Sequence, residues 1–243
     1  VPGDEVLVVA HTAVPTISAI SMTGATPVFV DINASTYVMR EIELEAKITP
    51  KTKVIVPVHI YGHMADMETI MKVAQKHGLK VMEDVAQATG ATYRGQTAGT
   101  IGDYGAFSFY PSKNLGAFGD GGAISTNSEE SYKKLIMLRN YGQSKRYYHD
   151  IIGINSRLDE IQCAILGAQL PFVHQWNDRR REIAARYTEG LKNVVVTPVE
   201  QQGCKHVYHL YVVQTPYRDE LQQYLLDRGI QCLIHYPIPA HLQ

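Results

Sequence analysis

The chain has 243 residues, of which 45% are hydrophobic and 19% charged, and its formal net charge is −1. This length can bury a substantial core, in one large domain or in one domain with a small appendage. The nearly balanced charge offers no basic surface for nucleic acid, and no apolar run is long enough to span a bilayer. We therefore expect neither nucleic acid nor a membrane as a partner.

The three cysteines, Cys163, Cys204 and Cys232, are far apart and form no CxxC pair. They predict neither a zinc site nor a disulfide framework, and they favour a cytoplasmic location. His59 and His63 are four residues apart but flank Gly62, so they do not form a helical pair of metal ligands. Because Val1 is not a start methionine and the last residues do not finish a helix, we expect an internal fragment of a longer protein.

The first half of the chain alternates apolar strands with helices. Strands are predicted over 5–10, 27–30, 53–58, 79–83, 104–109 and 122–126, and helices over 16–22, 42–48, 66–77 and 128–139. Asp66 can cap the third of these helices and Gly78 suits its C′ position, while Pro57 predicts that the third strand ends near an edge or a bend. This alternation predicts an α/β fold with a mainly parallel sheet and helices on both faces.

The second half of the chain lacks this regular alternation of strands and helices. Residues 141–153 are predicted as a loop, 157–191 as helix bent at Pro171, 218–228 as helix, and 194–197, 207–213 and 230–235 as strands. The patterns divide the chain into a large α/β domain (1–155), connecting helices (156–190) and a small, truncated α+β domain (191–243).

Three reactive side chains cluster in the sequence between residues 81 and 124. Asp84 ends an apolar strand, Ser108 lies near the end of the next, and Lys113 is the only charged residue in AFSFYPSKNLGAFG. An amine with few charged neighbours can be desolvated, which lowers its pKa and makes it nucleophilic. Each residue alone has an ordinary structural explanation, but together they suit pyridoxal phosphate (PLP), whose partners are a Schiff-base lysine and an acid at the pyridinium nitrogen.

Several longer motifs extend this pattern over nearly the whole chain: GATPVFVDI, EDVAQATGA, FSFYPSKNLGAFGDGG, NSRLDEIQCAIL and HYPIP. In this order and spacing they resemble the DegT family of sugar aminotransferases, which are PLP-dependent transferases of fold type I. The resemblance implies the fold predicted above and a homodimer with shared active sites.

The resemblance also implies roles for individual residues. Asp84 would keep the pyridine nitrogen protonated, Gln87 would lie beside the phenolic oxygen, and Ser108 would bind the phosphate. Lys113 would carry the Schiff base and shuttle a proton between Cα and C4′. Asn155 would reach the phosphate in the other subunit's site.

The chain departs from the family at two places. Ala13, in HTAVPT, stands where many members have an aromatic residue that stacks on the cofactor ring, and His11 is the candidate for an alternative stacking face. The family's N-terminal segment, whose Gly-Thr pair binds phosphate through backbone N–H groups, is not part of this sequence.

The function implied is transfer of an amino group from glutamate or glutamine to a nucleotide-linked keto-deoxysugar, and the Lys113 stretch is closest to members that aminate 3-keto-6-deoxysugars. One alternative is a PLP-dependent deoxysugar dehydratase; such relatives replace the lysine with histidine, so Lys113 argues against it. A second is a catalytically silent or regulatory member that binds cofactor or sugar. A dinucleotide-binding protein is disfavoured because no G-x-G-x-x-G follows the first strand. The sugar, its nucleotide and the carbon aminated stay open.

Overall fold

The computed structural model describes residues 1–243 and is organised around a six-stranded sheet made by the first half of the chain. The strands are β1 (Glu5–Val9), β2 (Thr26–Val30), β3 (Thr52–Val56), β4 (Lys80–Asp84), β5 (Thr92–Tyr93), β6 (Gln96–Thr97), β7 (Tyr104–Ser108), β8 (Gly122–Thr126), β9 (Gln143–Lys145), β10 (Tyr148–His149) and β11 (Cys204–Lys205). The central sheet has the order β2-β1-β3-β4-β7-β8. Every neighbouring pair is parallel except β7–β8, which is antiparallel. The predicted mainly parallel α/β fold is confirmed.

Helices connect and follow these strands. They are α1 (Val14–Met22), α2 (Leu44–Lys47), α3 (Met67–His77), α4 (Glu129–Leu138), α5 (Glu160–Gln169), α6 (Val173–Leu191) and α7 (Arg218–Leu226). As predicted, α3 begins where the Asp66 carboxylate accepts the Thr69 N–H at 3.2 Å, and it ends at Gly78 in the left-handed region (φ 65°). None of the helices combines the length and the apolar character that a membrane span requires.

The core lies on both faces of the sheet, which is why the strands read as continuous apolar runs. Leu7, Ile55 and Val81 are completely buried in three neighbouring strands. Because side chains alternate along a strand, the last two residues of β4, Glu83 and Asp84, point to opposite faces.

The prediction that Pro57 marks an edge or bend of the sheet is wrong about the edge. Pro57 follows β3, which lies between β1 and β4 in the sheet. Pairing with the end of β4 continues past it, since its carbonyl accepts the Asp84 N–H at 2.9 Å and Val58 forms a bridge with Asp84. The predicted loop at 141–153 contains a short hairpin instead, formed by β9 and β10.

The three strands predicted in the last fifty residues do not form. Only an isolated bridge, Val196–Gln214, and the short β11 are present. The apolar run 207–213 is irregular, with Tyr208 at a positive φ of 44°, and it bonds to the loop after β3 rather than to a sheet. Val207 N–H donates to Gly62 O at 3.1 Å and Leu210 N–H to Tyr61 O at 3.3 Å. Its apolar residues therefore reflect burial against the first half of the chain. The division into domains at 155 and 190 stays a prediction.

Candidate active site

A cavity of about 850 Å³ opens where β4 and β7 end and α1 begins. Its floor is one face of the central sheet, made by alternate residues such as Val54 and Met82, and one wall is α1. Four predicted site residues line it: Asp84, Gln87, Ser108 and Lys113. The carboxyl ends of strands in open α/β sheets are the usual place for ligands.

Asp84 is held in a fixed orientation at the end of β4. Its Oδ2 accepts the Thr16 hydroxyl at 2.8 Å, and its Oδ1 accepts the Ala86 N–H at 3.0 Å. Its backbone is bonded on both sides, to Pro57 O and from the His59 N–H. The carboxylate is thus oriented by α1, by its own loop and by the segment after β3.

The neighbouring acid, Glu83, supports this strand end from the opposite face. It is completely buried, and its carboxylate accepts the backbone N–H groups of Gly99, Ile101 and Gly102 at 2.7–2.8 Å. His59 Nε2–H donates to the same carboxylate at 2.9 Å. Burial acts to raise the pKa of Glu83, but the hydrogen bond from His59 and those from the backbone donors outweigh it, so the pKa lies below its usual value.

Lys113 projects from the turn that follows β7. The turn is closed by hydrogen bonds from Lys113 N–H to Tyr110 O (2.9 Å) and from Ala117 N–H to Phe109 O (2.7 Å). Burial lowers the pKa of the lysine, while the negative charge of Asp84 acts in the opposite direction. The two groups therefore interact electrostatically across the same cavity, and the amine is easier to deprotonate than an exposed lysine.

Ser108 and Gln87 occupy neighbouring parts of the wall. Ser108 is the last residue of β7, and its hydroxyl accepts the Tyr110 N–H at 3.3 Å. Gln87 is only 7% exposed. Its Oε1 accepts the Tyr61 N–H at 2.6 Å and its Nε2 donates to the Tyr236 hydroxyl at 2.9 Å, so one amide hydrogen is left for a ligand.

His11 and Asn155 do not line the cavity in this chain. The Tyr61 hydroxyl donates to the His235 carbonyl and accepts from His11 Nε2–H at 2.6 Å. Burial lowers the pKa of His11, and its ring packs edge-on against those of Tyr61 and Tyr236. Asn155 is exposed, and its Oδ1 accepts Arg157 Nε–H at 2.9 Å. The stacking role of His11 and the role of Asn155 in a second subunit stay predictions.

Thr16, the residue that fixes the orientation of Asp84, was not among the predicted site residues. Thr12 donates to the Thr16 hydroxyl at 3.1 Å, because Thr16 uses its own proton on Asp84. The local pattern around Thr16 does not indicate this contact, because Asp84 lies 68 residues further along the chain. Tyr236, which bonds Gln87, could not be found because 149 residues separate the two.

These side chains fit PLP by their chemistry. A preoriented carboxylate suits the ring nitrogen, an amine with a lowered pKa suits the carbonyl carbon, and a strand-end hydroxyl suits the phosphate. Ala13 lines the cavity with a small side chain, which leaves space where a ring could lie.

A model of the DegT/DnrJ/EryC1/StrS aminotransferase family matches residues 1–243. The chain belongs to this family. Among relatives of this DegT-family chain, a dTDP-3-amino-3,6-dideoxy-alpha-D-galactopyranose transaminase from Aneurinibacillus thermoaerophilus is 51% identical over 99% of the chain and 67% of the relative. A "pleiotropic regulatory protein" from Geobacillus stearothermophilus is 48% identical over 100% of the chain and 66% of the relative. The chain thus spans about two thirds of the length of these relatives.

Solved structures agree with this assignment. The crystal structure of Streptomyces venezuelae DesV in complex with a ketimine intermediate superposes with a TM-score of 0.97 at 47% identity, covering 100% of this chain and 66% of that one. NtdA from Bacillus subtilis, solved with bound cofactor PMP, superposes with a TM-score of 0.91 at 36% identity, covering 100% of this chain and 57% of that one. These matches confirm the fold and the family predicted from the motifs.

Proposed function

We propose that this DegT-family protein is a PLP-dependent aminotransferase that moves an amino group from glutamate or glutamine to a nucleotide-linked keto-deoxysugar. The observation that supports it most is the placement of Asp84 and Lys113 on one cavity, with the carboxylate preoriented by Thr16. The transaminases among the relatives support the substrate class.

PLP, when bound, supplies an electron sink for bond cleavage at the amino-bearing carbon. Asp84 would hold a proton on the ring nitrogen, which keeps that sink effective. Lys113 would act as general base and acid through Nζ, moving the proton between the donor's Cα and C4′ of the cofactor. Ser108 would bind the phosphate, and Gln87 would donate its free amide hydrogen to the cofactor's phenolic oxygen.

The partner we propose is a second copy of the chain. Asn155 lies outside the cavity of its own chain and is exposed, which is the position expected of a residue that completes the other subunit's site. The DesV and NtdA structures support only the fold, so the dimer and the cytoplasmic location belong to this proposal.

The test is amino transfer itself. The intact protein is incubated with PLP, with either ¹⁵N-glutamate or α-¹⁵N-glutamine, and with dTDP- or UDP-linked 3-keto sugars, and the products are analysed by mass spectrometry. We expect ¹⁵N in the sugar with the wild type and none with Lys113→Ala. Label transfer that persists in Lys113→Ala, or a cofactor-loaded wild type that transfers none to any keto-sugar, would overturn the proposal.

A regulatory member without turnover is the second candidate. Two observations favour it: Ala13 in place of an aromatic residue, and the 48% identity to a protein named for a regulatory role. It predicts cofactor binding without label transfer. A dehydratase is disfavoured because Lys113 retains the amine.

A further inference from the structure

The residue that follows Lys113 takes part in a buried set of hydrogen bonds. Asn114, the residue after Lys113, is 5% exposed, and both of its polar atoms are used. Its Nδ2 donates to Asn177 Oδ1 at 2.8 Å and to Val207 O at 3.3 Å, and its Oδ1 lies 3.0 Å from His209 Nδ1. The turn that carries the lysine is therefore hydrogen-bonded to α6 and to the segment after β11.

The far end of this set is also fixed. Asn177 is 1% exposed, and its Nδ2 donates to Thr89 O at 3.0 Å. Thr89 lies in the loop after β4, the strand that ends in Asp84. The hydrogen bonds thus run from the loop following the carboxylate, through a helix, to the turn that bears the amine.

His209 is the member of this set with unused chemistry. Because Asn114 Oδ1 can only accept, Nδ1 of His209 carries the proton and Nε2 has a lone pair with no partner in the protein. Burial, followed by the positive charges of Lys113 and Arg180, lowers the pKa of His209 to about 3. The ring is therefore neutral at neutral pH and close enough to the lysine amine to sense its charge.

We propose that His209 is a positioning residue for Lys113: its Nδ1–H, acting through Asn114, fixes the turn that holds the lysine amine in the cavity. The inference rests on the role proposed above for Lys113. It assigns the segment after β11 a part in the site, although no residue from 207 to 213 lines the cavity.

Two substitutions of His209 distinguish the role of Nδ1 from that of Nε2. In His209→Asn the side-chain amide can place an N–H where Nδ1–H was, so the bond to Asn114 is kept. In His209→Gln the amide reaches the Nε2 position and the bond to Asn114 is lost. Since His209 is neutral, neither change removes a charge. His174→Gln, at an exposed position of α6, is the matched control.

The first readout needs no cofactor. Acetylation of Lys113 by acetic anhydride is followed over pH in the intact apoprotein by peptide mass spectrometry. We expect the wild type, His209→Asn and His174→Gln to share a lowered midpoint. In His209→Gln the midpoint should move up towards the ordinary lysine pKa, because a loosened turn exposes the amine to water and burial is what lowers its pKa.

The second readout is kinetic. In His209→Gln, kcat should fall about tenfold or more with KM little changed, since misplacing a reacting group slows the chemical step. Should His209→Gln fail to fold, Asn177→Ala breaks the same set of bonds at its far end and is expected to raise the midpoint likewise. Equal midpoints in all variants, or equal shifts in His209→Asn and His209→Gln, would overturn the inference. If label transfer by the wild type is intact, that result leaves the proposed function standing; if the wild type shows no transfer, the proposed function fails separately.

Discussion

Replacing Glu83 by glutamine tests how the carboxyl end of β4 is held. Oε1 of Glu83 accepts the N–H groups of Ile101 and Gly102, and Oε2 accepts those of Gly99 and His59. All four partners are donors, so an ionised carboxylate is the side chain that satisfies them. Glutamine has the same shape but carries donors on one of its two terminal atoms.

The magnitude follows from counting the bonds that glutamine cannot make. Whichever way the amide turns, its NH₂ group faces two buried donors and two charge-assisted hydrogen bonds are lost. Each is worth about 1.5–3 kcal/mol, so the free energy of unfolding should fall by about 3–6 kcal/mol, a large part of the ~5–15 kcal/mol of a typical protein. His59 cannot compensate by changing tautomer, because its Nδ1 accepts the Ala65 N–H at 3.2 Å.

Urea unfolding at pH 7, with the slope checked for constancy, measures this change. Glu68→Gln is the control: it removes a surface carboxylate of α3 that pairs with Lys72 at 2.6 Å and with Arg94. Because surface ion pairs contribute little, it should lower the free energy of unfolding by less than about 1 kcal/mol. A Glu83→Gln protein within about 1 kcal/mol of the wild type would refute the reasoning, because it would mean that the buried donors find other partners.

Three further predictions concern charge and protonation. Thr16→Val removes the hydroxyl that donates to Asp84, so the affinity for the cofactor should fall about 10- to 100-fold, the equivalent of one charge-assisted hydrogen bond. Cofactor absorbance on dilution measures this affinity, and Thr16→Ser, which keeps the hydroxyl, should bind the cofactor as the wild type does. In Asp84→Asn the negative charge that raises the pKa of Lys113 is lost, so the acetylation midpoint of the apoprotein should shift to lower pH; an upward shift would contradict the electrostatic link. Burial lowers the pKa of His206 from 6.5 to about 2, so the unfolded chain binds an extra proton between these values and stability falls as pH drops below 6.5. His206→Asn keeps an acceptor for the Tyr208 N–H. Between pH 6 and 4, the free energy of unfolding of this variant should fall with decreasing pH by ~1.4 kcal/mol per pH unit less than that of the wild type. Equal slopes of unfolding free energy against pH in the two proteins would contradict this.

The sequence predicted the large sheet because its strands are continuous apolar runs separated by helices with recognisable caps, as at Asp66 and Gly78. It indicated Asp84, Ser108 and Lys113 because they lie at strand ends, or in the turn after one, within one short stretch; Gln87 was indicated only by the resemblance to the family. The last fifty residues were misjudged for a physical reason: Val207 and its neighbours are apolar because they are buried against the first half of the chain, and apolarity alone does not distinguish that from a strand.

Contacts between distant parts of the chain could not be predicted from the sequence. The bond between Gln87 and Tyr236, and that between Asn114 and His209, join residues more than ninety positions apart. Nothing in the local pattern around Tyr236 or His209 indicates its partner. The bond between Thr16 and Asp84 likewise joins residues 68 positions apart.

The most direct test asks whether one PLP molecule lies between Lys113 and Asp84. The intact protein is loaded with PLP, reduced with borohydride, digested and analysed by peptide mass spectrometry. The account predicts a yellow protein before reduction and a cofactor-derived mass increment on the peptide containing Lys113, with much less in Asp84→Asn. An increment on a different lysine, or a protein that stays colourless with excess PLP, would contradict it.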